Sequence, residues 1–172
     1  MDAIASLREN IGTTRWLVDG TMQDIPADLV NKQPGGTASS IGALYAHVVV
    51  SEDMMINGLI QGKQPLAAST FAGKTGLSEM PPMGPDELTG WFKGVQVDLT
   101  TLQAYAKAVR EATDAYLASA KPEDLDRKVE FFSFGPQTVN WIVGIATALH
   151  VNQHIGEISV LKGLAGLKGY PV

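Results

Sequence analysis

The sequence predicts an all-α fold, a four-helix bundle with a long loop between its second and third helices. Four long segments repeat apolar side chains at helical spacing, and clusters of glycine and proline separate them. Hydrophobic residues make up 45% of the chain and charged residues 18%, a balance that favours a packed core over disorder. At 172 residues, the chain is expected to form a single domain over residues 1–172.

The first two helices are bounded by residues that commonly begin or end helices. The first is expected to run from about Asp2 to Gly20, because glycine is common just after a helix C-terminus. The second is expected to open at Ser39 or Ser40, which are both good N-cap residues, and to end near Gly62.

A long connection rich in glycine and proline follows over residues 61–85, and connections of this length are often lids or binding loops. We expect it to cover part of any site that the helices build. The third helix is expected to begin at Pro85 and to continue to about Ala118. Residues 128–134 alternate loosely and predict a short extended piece. The fourth helix is expected from Thr138, a candidate cap, to about Leu161.

Composition excludes several classes of function. Thirteen basic residues against eighteen acidic ones give a net charge of −5 with no basic run, so nucleic-acid binding is not expected. The first residues include Arg8 and Glu9 and lack an apolar run, and no segment is apolar for long enough to span a bilayer. We therefore expect a cytoplasmic protein without a membrane partner. The chain has no cysteine, which excludes disulfides, thiolate ligands and a thiol nucleophile of its own.

The chain has three histidines, and all of them lie in predicted helices. His150 and His154 are four residues apart, about 40° around a helix, so both imidazoles can reach one cation. His47 falls within the apolar arc of the second helix. Three inward-facing neutral imidazoles form a ligand set with open positions, as catalytic zinc sites use. From the residues alone, ordinary packing of these histidines in the core stays an open alternative.

Four acidic or amide side chains stand out on the same two helices. Glu52, Asp53 and Asn57 project to one side of the second helix, which we expect to be its solvent-facing side. Glu157 carries the one formal charge of the fourth helix and projects near the paired histidines. A carboxylate on a mostly buried helix is costly unless it is paired or close to a cation. We interpret Glu157 as the candidate catalytic residue, either a general base or a residue that orients a ligand; a buried hydrogen-bond partner of one histidine is the alternative.

Two motifs resemble those of the DinB-like (DinB/YfiT) family of four-helix-bundle metalloenzymes. The first is the run from Ser40 to His47, and the second is the run from His150 to Ile158. Helix order and loop placement resemble the family over essentially the whole chain. The sequence departs from the family pattern at Glu157, where glutamine is usual, and at Ser51, where many members carry an acid.

The resemblance implies a divalent metal, commonly zinc or nickel, held by His47, His150 and His154. It also implies a small-molecule substrate and a homodimer. Relatives of this type include thiol S-transferases that use an external thiol such as bacillithiol or mycothiol, and metal-dependent hydrolases. The expected function is therefore a metal-dependent enzyme that activates a water molecule or an external thiol.

Two other functional interpretations stay open. One is a non-catalytic bundle that binds a metal or a small ligand, as a stress-response protein would. The other is a bundle whose histidines only pack. A pocket on which Glu157, Ser51 or Arg15 converge would favour catalysis, whereas a closed apolar site would favour binding alone.

Overall fold

A computed structural model of the chain, which describes residues 3–82 and 84–172, confirms the predicted all-α four-helix bundle. In chain order the helices are α1 (Ala3–Thr21), α2 (Ala27–Val30), α3 (Ile41–Asp53), α4 (Pro85–Gly94), α5 (Leu99–Ser119), α6 (Val139–Gly144) and α7 (His150–Leu164). Two π-helical stretches extend them: Met54–Ile60 continues α3, and Ile145–Leu149 joins α6 to α7. The four long rods are thus α1, α3, α5 and α6–α7. The predicted first residue of α1, Asp2, lies outside the described residues.

Side-chain caps fix where the helices of the site begin. The Ser40 hydroxyl accepts a hydrogen bond from the backbone N–H of Ala43 at 3.2 Å. The Thr138 hydroxyl does the same for Trp141, also at 3.2 Å. Each bond satisfies one of the donors that a helix start leaves free. Both predicted caps are confirmed, with Ser40 rather than Ser39 as the cap of α3.

The prediction that the third helix is a single rod over residues 85–118 is wrong. The chain leaves the helix after α4 and starts again at α5. Between the two, the side chain of Asn31 bonds to both the carbonyl and the N–H of Val97, at 3.0 and 2.9 Å. Asp98 then caps α5 by accepting from the N–H of Thr101 at 2.7 Å. Tertiary contacts from α2 and this cap therefore override a helical apolar pattern that continues across the break.

The long connection follows from the direction of the helices. Val97, just before α5, packs against Gly42 at the start of α3, where any Cβ would lie 3.0 Å from that of Val97. Near the other end of both helices, Thr113 bonds to Glu52. Because α3 and α5 run parallel, the chain must return along the bundle between them, and parallel neighbours in a bundle need such a crossover.

The apolar core divides into two clusters along the bundle. One surrounds the first part of α3 and includes Leu44, Val48 and Leu102. The other lies around α6 and includes Ile56 and Ile142. Because α3 with its π-helical extension contributes to both clusters, this rod is enclosed by the rest of the bundle.

The enclosure of α3 overturns the prediction that Glu52, Asp53 and Asn57 face solvent, since all three are buried. Asp53 has no exposed surface, and its carboxylate accepts four hydrogen bonds. Two of the donors are side chains, the hydroxyl of Tyr105 at 2.6 Å and the amide of Asn57 at 2.8 Å. The other two are the backbone N–H groups of Leu66 and Ala67, at 3.0 and 2.9 Å, in the short 3₁₀ turn Leu66–Ala68. Asp53 thus fastens the start of the long connection to the centre of the bundle.

Glu52 is buried on the other side, between α3, α1 and α5. It accepts a hydrogen bond from the hydroxyl of Thr113 at 2.7 Å, and the guanidinium of Arg15 lies 3.7 Å away. Burial raises the pKa of Glu52, while the bond from Thr113 and the charge of Arg15 act in the opposite direction. Helical periodicity placed both carboxylates on one solvent-facing side, whereas the structure buries them on different sides of α3, each with partners from other parts of the chain.

The predicted extended piece forms half of a small hairpin. Strand β1 (Lys128–Glu130) pairs antiparallel with β2 (Pro136–Thr138), with Val129 opposite Gln137. Short 3₁₀ turns, Pro122–Asp126 and Phe132–Phe134, lie before and within it. Among residues 3–82 and 84–172, none of the helices combines the length and apolar character that a membrane crossing requires.

Candidate metal centre

The three histidines predicted to bind metal come together between α3 and α7. Nε2 of His150 lies 2.9 Å from Nε2 of His47 and 3.0 Å from Nε2 of His154. One candidate ligand atom from each residue lies within 4.8 Å of the other two. All three side chains are half-buried. In the part of the chain that the structure describes, no other three His, Cys, Asp or Glu residues meet in this way.

Local helix geometry positions the pair on α7. His150 and His154 are one turn apart, so their rings lie on one face of the helix and meet edge to face, with centroids 4.6 Å apart. The π-helical stretch before α7 ends at His150, whose backbone N–H bonds to the carbonyl of Ile145, five residues earlier. The wider turn rotates α7 relative to α6, and such turns are frequent at functional sites.

Two of the three distances between the ligand nitrogens match those around a shared metal ion, and the third pair, His47 and His154, lies within 4.8 Å. Zinc–imidazole bonds are about 2.0–2.1 Å long, which places neighbouring ligand nitrogens about 2.9–3.4 Å apart for angles between square and tetrahedral. The observed 2.9 and 3.0 Å fall in that range.

Burial keeps two of the histidines neutral. The pKa of His47 falls to about 3, chiefly because burial disfavours the charged ring and secondarily because His150 and His154 are close. Burial and the neighbouring His154 lower the pKa of His150 to about 4. Neutral imidazole is the form that binds a metal, so the environment favours the ligand state at neutral pH.

Glu157 contacts the histidine cluster, as predicted, through His154. The two side chains form a hydrogen bond of 2.6 Å between Nδ1 of His154 and Oε2 of Glu157. An ionised carboxylate only accepts, so Nδ1 carries the proton and the lone pair of Nε2 is free for a metal. The Glu157 side chain is 57% exposed rather than enclosed by the helix, because it lies on the open edge of the α3–α7 groove.

The outer nitrogen of His150 is placed differently. Its Nδ1 is buried, and no hydrogen-bond partner for it exists within the described residues. Glu157 therefore fixes the proton position of His154, whereas no described side chain does so at Nδ1 of His150.

The connection before α5 covers one side of the cluster. The ring of Phe92 on α4 packs edge-on against His47 with centroids 5.1 Å apart. Lys93 holds α4 in place by donating to the carbonyls of Gly36 and Ala38, at 2.7 and 3.0 Å. The covering contact thus comes from α4, just beyond the predicted loop over residues 61–85. This contact could not be predicted from the sequence, because an aromatic residue at helical spacing is more typical of a core.

Arg15 and Ser51, which were also considered for the site, do not bond to the histidine cluster. Arg15 binds Asp114 through two hydrogen bonds of 2.8 and 2.9 Å, between α1 and α5. Ser51 is half-buried, and within the described structure it makes no hydrogen bond to the histidines. Of the three polar side chains considered, Glu157 is therefore the one that bonds to the cluster, through His154.

Comparisons with known proteins agree with this fold. The family described as the DinB superfamily matches residues 10–158 of the chain. Among solved structures, a conserved protein from Enterococcus faecalis is similar in fold, with a TM-score of 0.72 and 20% sequence identity. That similarity covers 95% of this chain and 99% of the other. The comparison with curated proteins gives no match. Since the family match covers most of the sequence and both motifs that carry the resemblance, the chain belongs to the DinB superfamily.

Proposed function

We propose that this protein is a metal-dependent enzyme in which His47, His150 and His154 hold one divalent ion, with zinc or nickel as the expected metal. The convergence of the three Nε2 atoms at 2.9 and 3.0 Å is the observation that carries the proposal. Three neutral ligands leave the charge of the ion uncompensated and coordination positions open, as catalytic sites require.

A divalent ion held there would supply Lewis acidity, which lowers the pKa of a water molecule or thiol at the open position or polarises a carbonyl group. The protein's own part is to prepare and screen the ligands. Glu157 keeps the proton of His154 on Nδ1, and its exposed carboxylate is placed to accept a proton from a reacting group. Phe92 keeps water from one side of His47.

Hydrolysis and thiol transfer make different demands on this site. For hydrolysis, the nucleophile is water, which enters along the open edge beside Glu157. For thiol transfer, the sulfur must come from an external low-molecular-weight thiol, such as bacillithiol or mycothiol, because the chain has no cysteine. We propose a small-molecule substrate in both cases. The homodimer and the cytoplasmic location stay predictions.

Metal content and turnover test the proposal together. Tag-free protein purified without chelator is analysed by mass spectrometry of its elements, beside His150→Ala and Gln153→Ala. Gln153 is exposed on the same helix and serves as the matched control. We expect about one divalent ion per chain in the parent and in Gln153→Ala, and none in His150→Ala.

The same three samples are then assayed with ester, amide and thiol-acceptor substrates. Metal-dependent turnover that His150→Ala lacks would support catalysis. Stoichiometric metal without turnover would favour the non-catalytic binding protein instead. Equal metal content in all three samples, or none in the parent, would refute the site.

A further inference from the structure

An apolar pocket adjoins the histidine cluster in the same groove between α3 and α7. Its volume is about 390 Å³, and Leu44 and Val160 lie on opposite walls, with Leu161 and Gly156 beside Val160. Glu157 stands at one edge of the pocket and is its one acidic lining residue. The pocket therefore offers mainly hydrocarbon surface with a single carboxyl group at its rim.

The pocket and the histidines are parts of one groove. Leu44 lies one turn before His47 on α3, and Glu157 and Val160 follow His154 along one side of α7. Glu157 belongs to both places, because it lines the pocket and bonds to Nδ1 of His154 at 2.6 Å. A molecule whose polar end reaches the histidines can thus lay its other end in the pocket without crossing a barrier.

The pocket wall leaves apolar surface in water. Val160 is 62% exposed, and most of the residues that line the pocket with it are apolar. Burial of such surface by a ligand's hydrocarbon stabilises the complex in proportion to the area covered. Glu157 would repel an anionic tail, and a charged group of either sign would lose its hydration against the apolar walls, so the chemistry of the walls favours an uncharged chain.

We propose that this pocket is a subsite for an uncharged aliphatic chain of the substrate, whose metal-binding end lies at the three histidines. The proposal rests on the proposed function, because it takes the histidine cluster as the site of the reacting end. It narrows the substrate class to small molecules with a polar, metal-binding end and a short hydrocarbon tail.

The test uses Co²⁺-loaded protein and straight-chain alkyl hydroxamates of increasing length, which bind metals through their polar end. Affinity is measured from the change in the visible spectrum of the cobalt ion. Val160→Asp places a charge on the pocket wall. Leu164→Asp is the matched control, since Leu164 is one turn further along α7, is 80% exposed and lies outside this pocket.

We expect affinity to rise up to about fourfold for each added methylene group in the parent and in Leu164→Asp, until the chain outgrows the pocket. In Val160→Asp the series should be nearly flat, with affinity for the shortest hydroxamate unchanged. A series that is flat in the parent, with cobalt still bound, would overturn the subsite and leave the metal site standing.

A parent protein that shows no cobalt spectrum would overturn the proposed function, and the subsite with it. The mass in solution, measured by light scattering on the same samples, covers one more outcome. A flat series in the parent, together with a dimer that Val160→Asp alone dissociates, would assign this face to a second copy of the chain and overturn the subsite.

Discussion

Replacing Glu157 with glutamine tests how the protein orients its metal ligands. Glu157 accepts the Nδ1 proton of His154 at 2.6 Å, a short bond typical of a charged acceptor. The carboxylate makes the ring a better donor at Nε2 and holds the proton on the other nitrogen. Glu157→Gln keeps an acceptor oxygen but removes its charge, and Glu157→Ala removes both.

The expected magnitude follows from the exposure of the carboxylate. Loss of such a partner typically weakens metal binding by about 10- to 100-fold. Since the Glu157 side chain is 57% exposed, water screens its charge, and we expect the lower end for Glu157→Gln. This corresponds to about tenfold weaker binding, or about 1.4 kcal/mol. Glu157→Ala should weaken binding further.

The assay is competition for Zn²⁺ between each variant and a chromogenic chelator at fixed pH and ionic strength. Gln153→Ala, on the same exposed side of α7, controls for unspecific effects, and urea unfolding confirms that each variant is folded. Equal affinities for the parent and both Glu157 variants would refute the orienting role. Weaker binding in Glu157→Gln than in Glu157→Ala would also contradict it, since the amide would then be hindering the site.

Three further predictions concern the carboxylates and caps of the bundle, and urea unfolding measures each of them. Asp53→Asn should lower the free energy of unfolding by about 2–4 kcal/mol, because the new NH₂ group would face N–H and O–H groups that donate hydrogen bonds to the carboxylate in the parent. A loss below about 1 kcal/mol would contradict this prediction. Burial raises the pKa of Glu52 above its usual 4.5, so ionisation of this side chain destabilises the folded parent as the pH rises above that value. The free energy of unfolding of Glu52→Gln should therefore increase relative to that of the parent between pH 4 and pH 7. A difference between the two that does not change with pH would contradict this prediction. Ser40→Ala should cost about 1 kcal/mol through the lost cap, whereas Ser39→Ala, next to it, should cost much less; equal losses would refute the cap assignment.

Local signals in the sequence account for most of the fold. Apolar residues at helical spacing predicted the four rods, and the hydroxyls of Ser40 and Thr138 predicted where two of them begin, because capping depends on residues only three apart. The break before α5 was missed for the opposite reason. It depends on Asn31, which is 66 residues from Val97 along the chain and pairs with its backbone.

The candidate site shows the same division between local and distant interactions. The spacing of His150 and His154 is local, and so is the apolar arc of the second helix, which indicated that His47 also faces inward. The contact of Phe92 with His47 and the pocket beside Glu157 depend on how α4 and α7 pack, which periodicity does not encode. Glu52 and Asp53 were placed on the wrong side, because only the neighbouring helices show which side of α3 is enclosed.

The most direct test of the account is an anomalous-difference map from crystals of the protein grown with zinc and recorded on both sides of the zinc absorption edge. We expect one strong peak bonded to Nε2 of His47, His150 and His154, each at about 2.0–2.1 Å. A peak bonded to other residues would contradict the account. So would three histidines packed against one another with no peak between them.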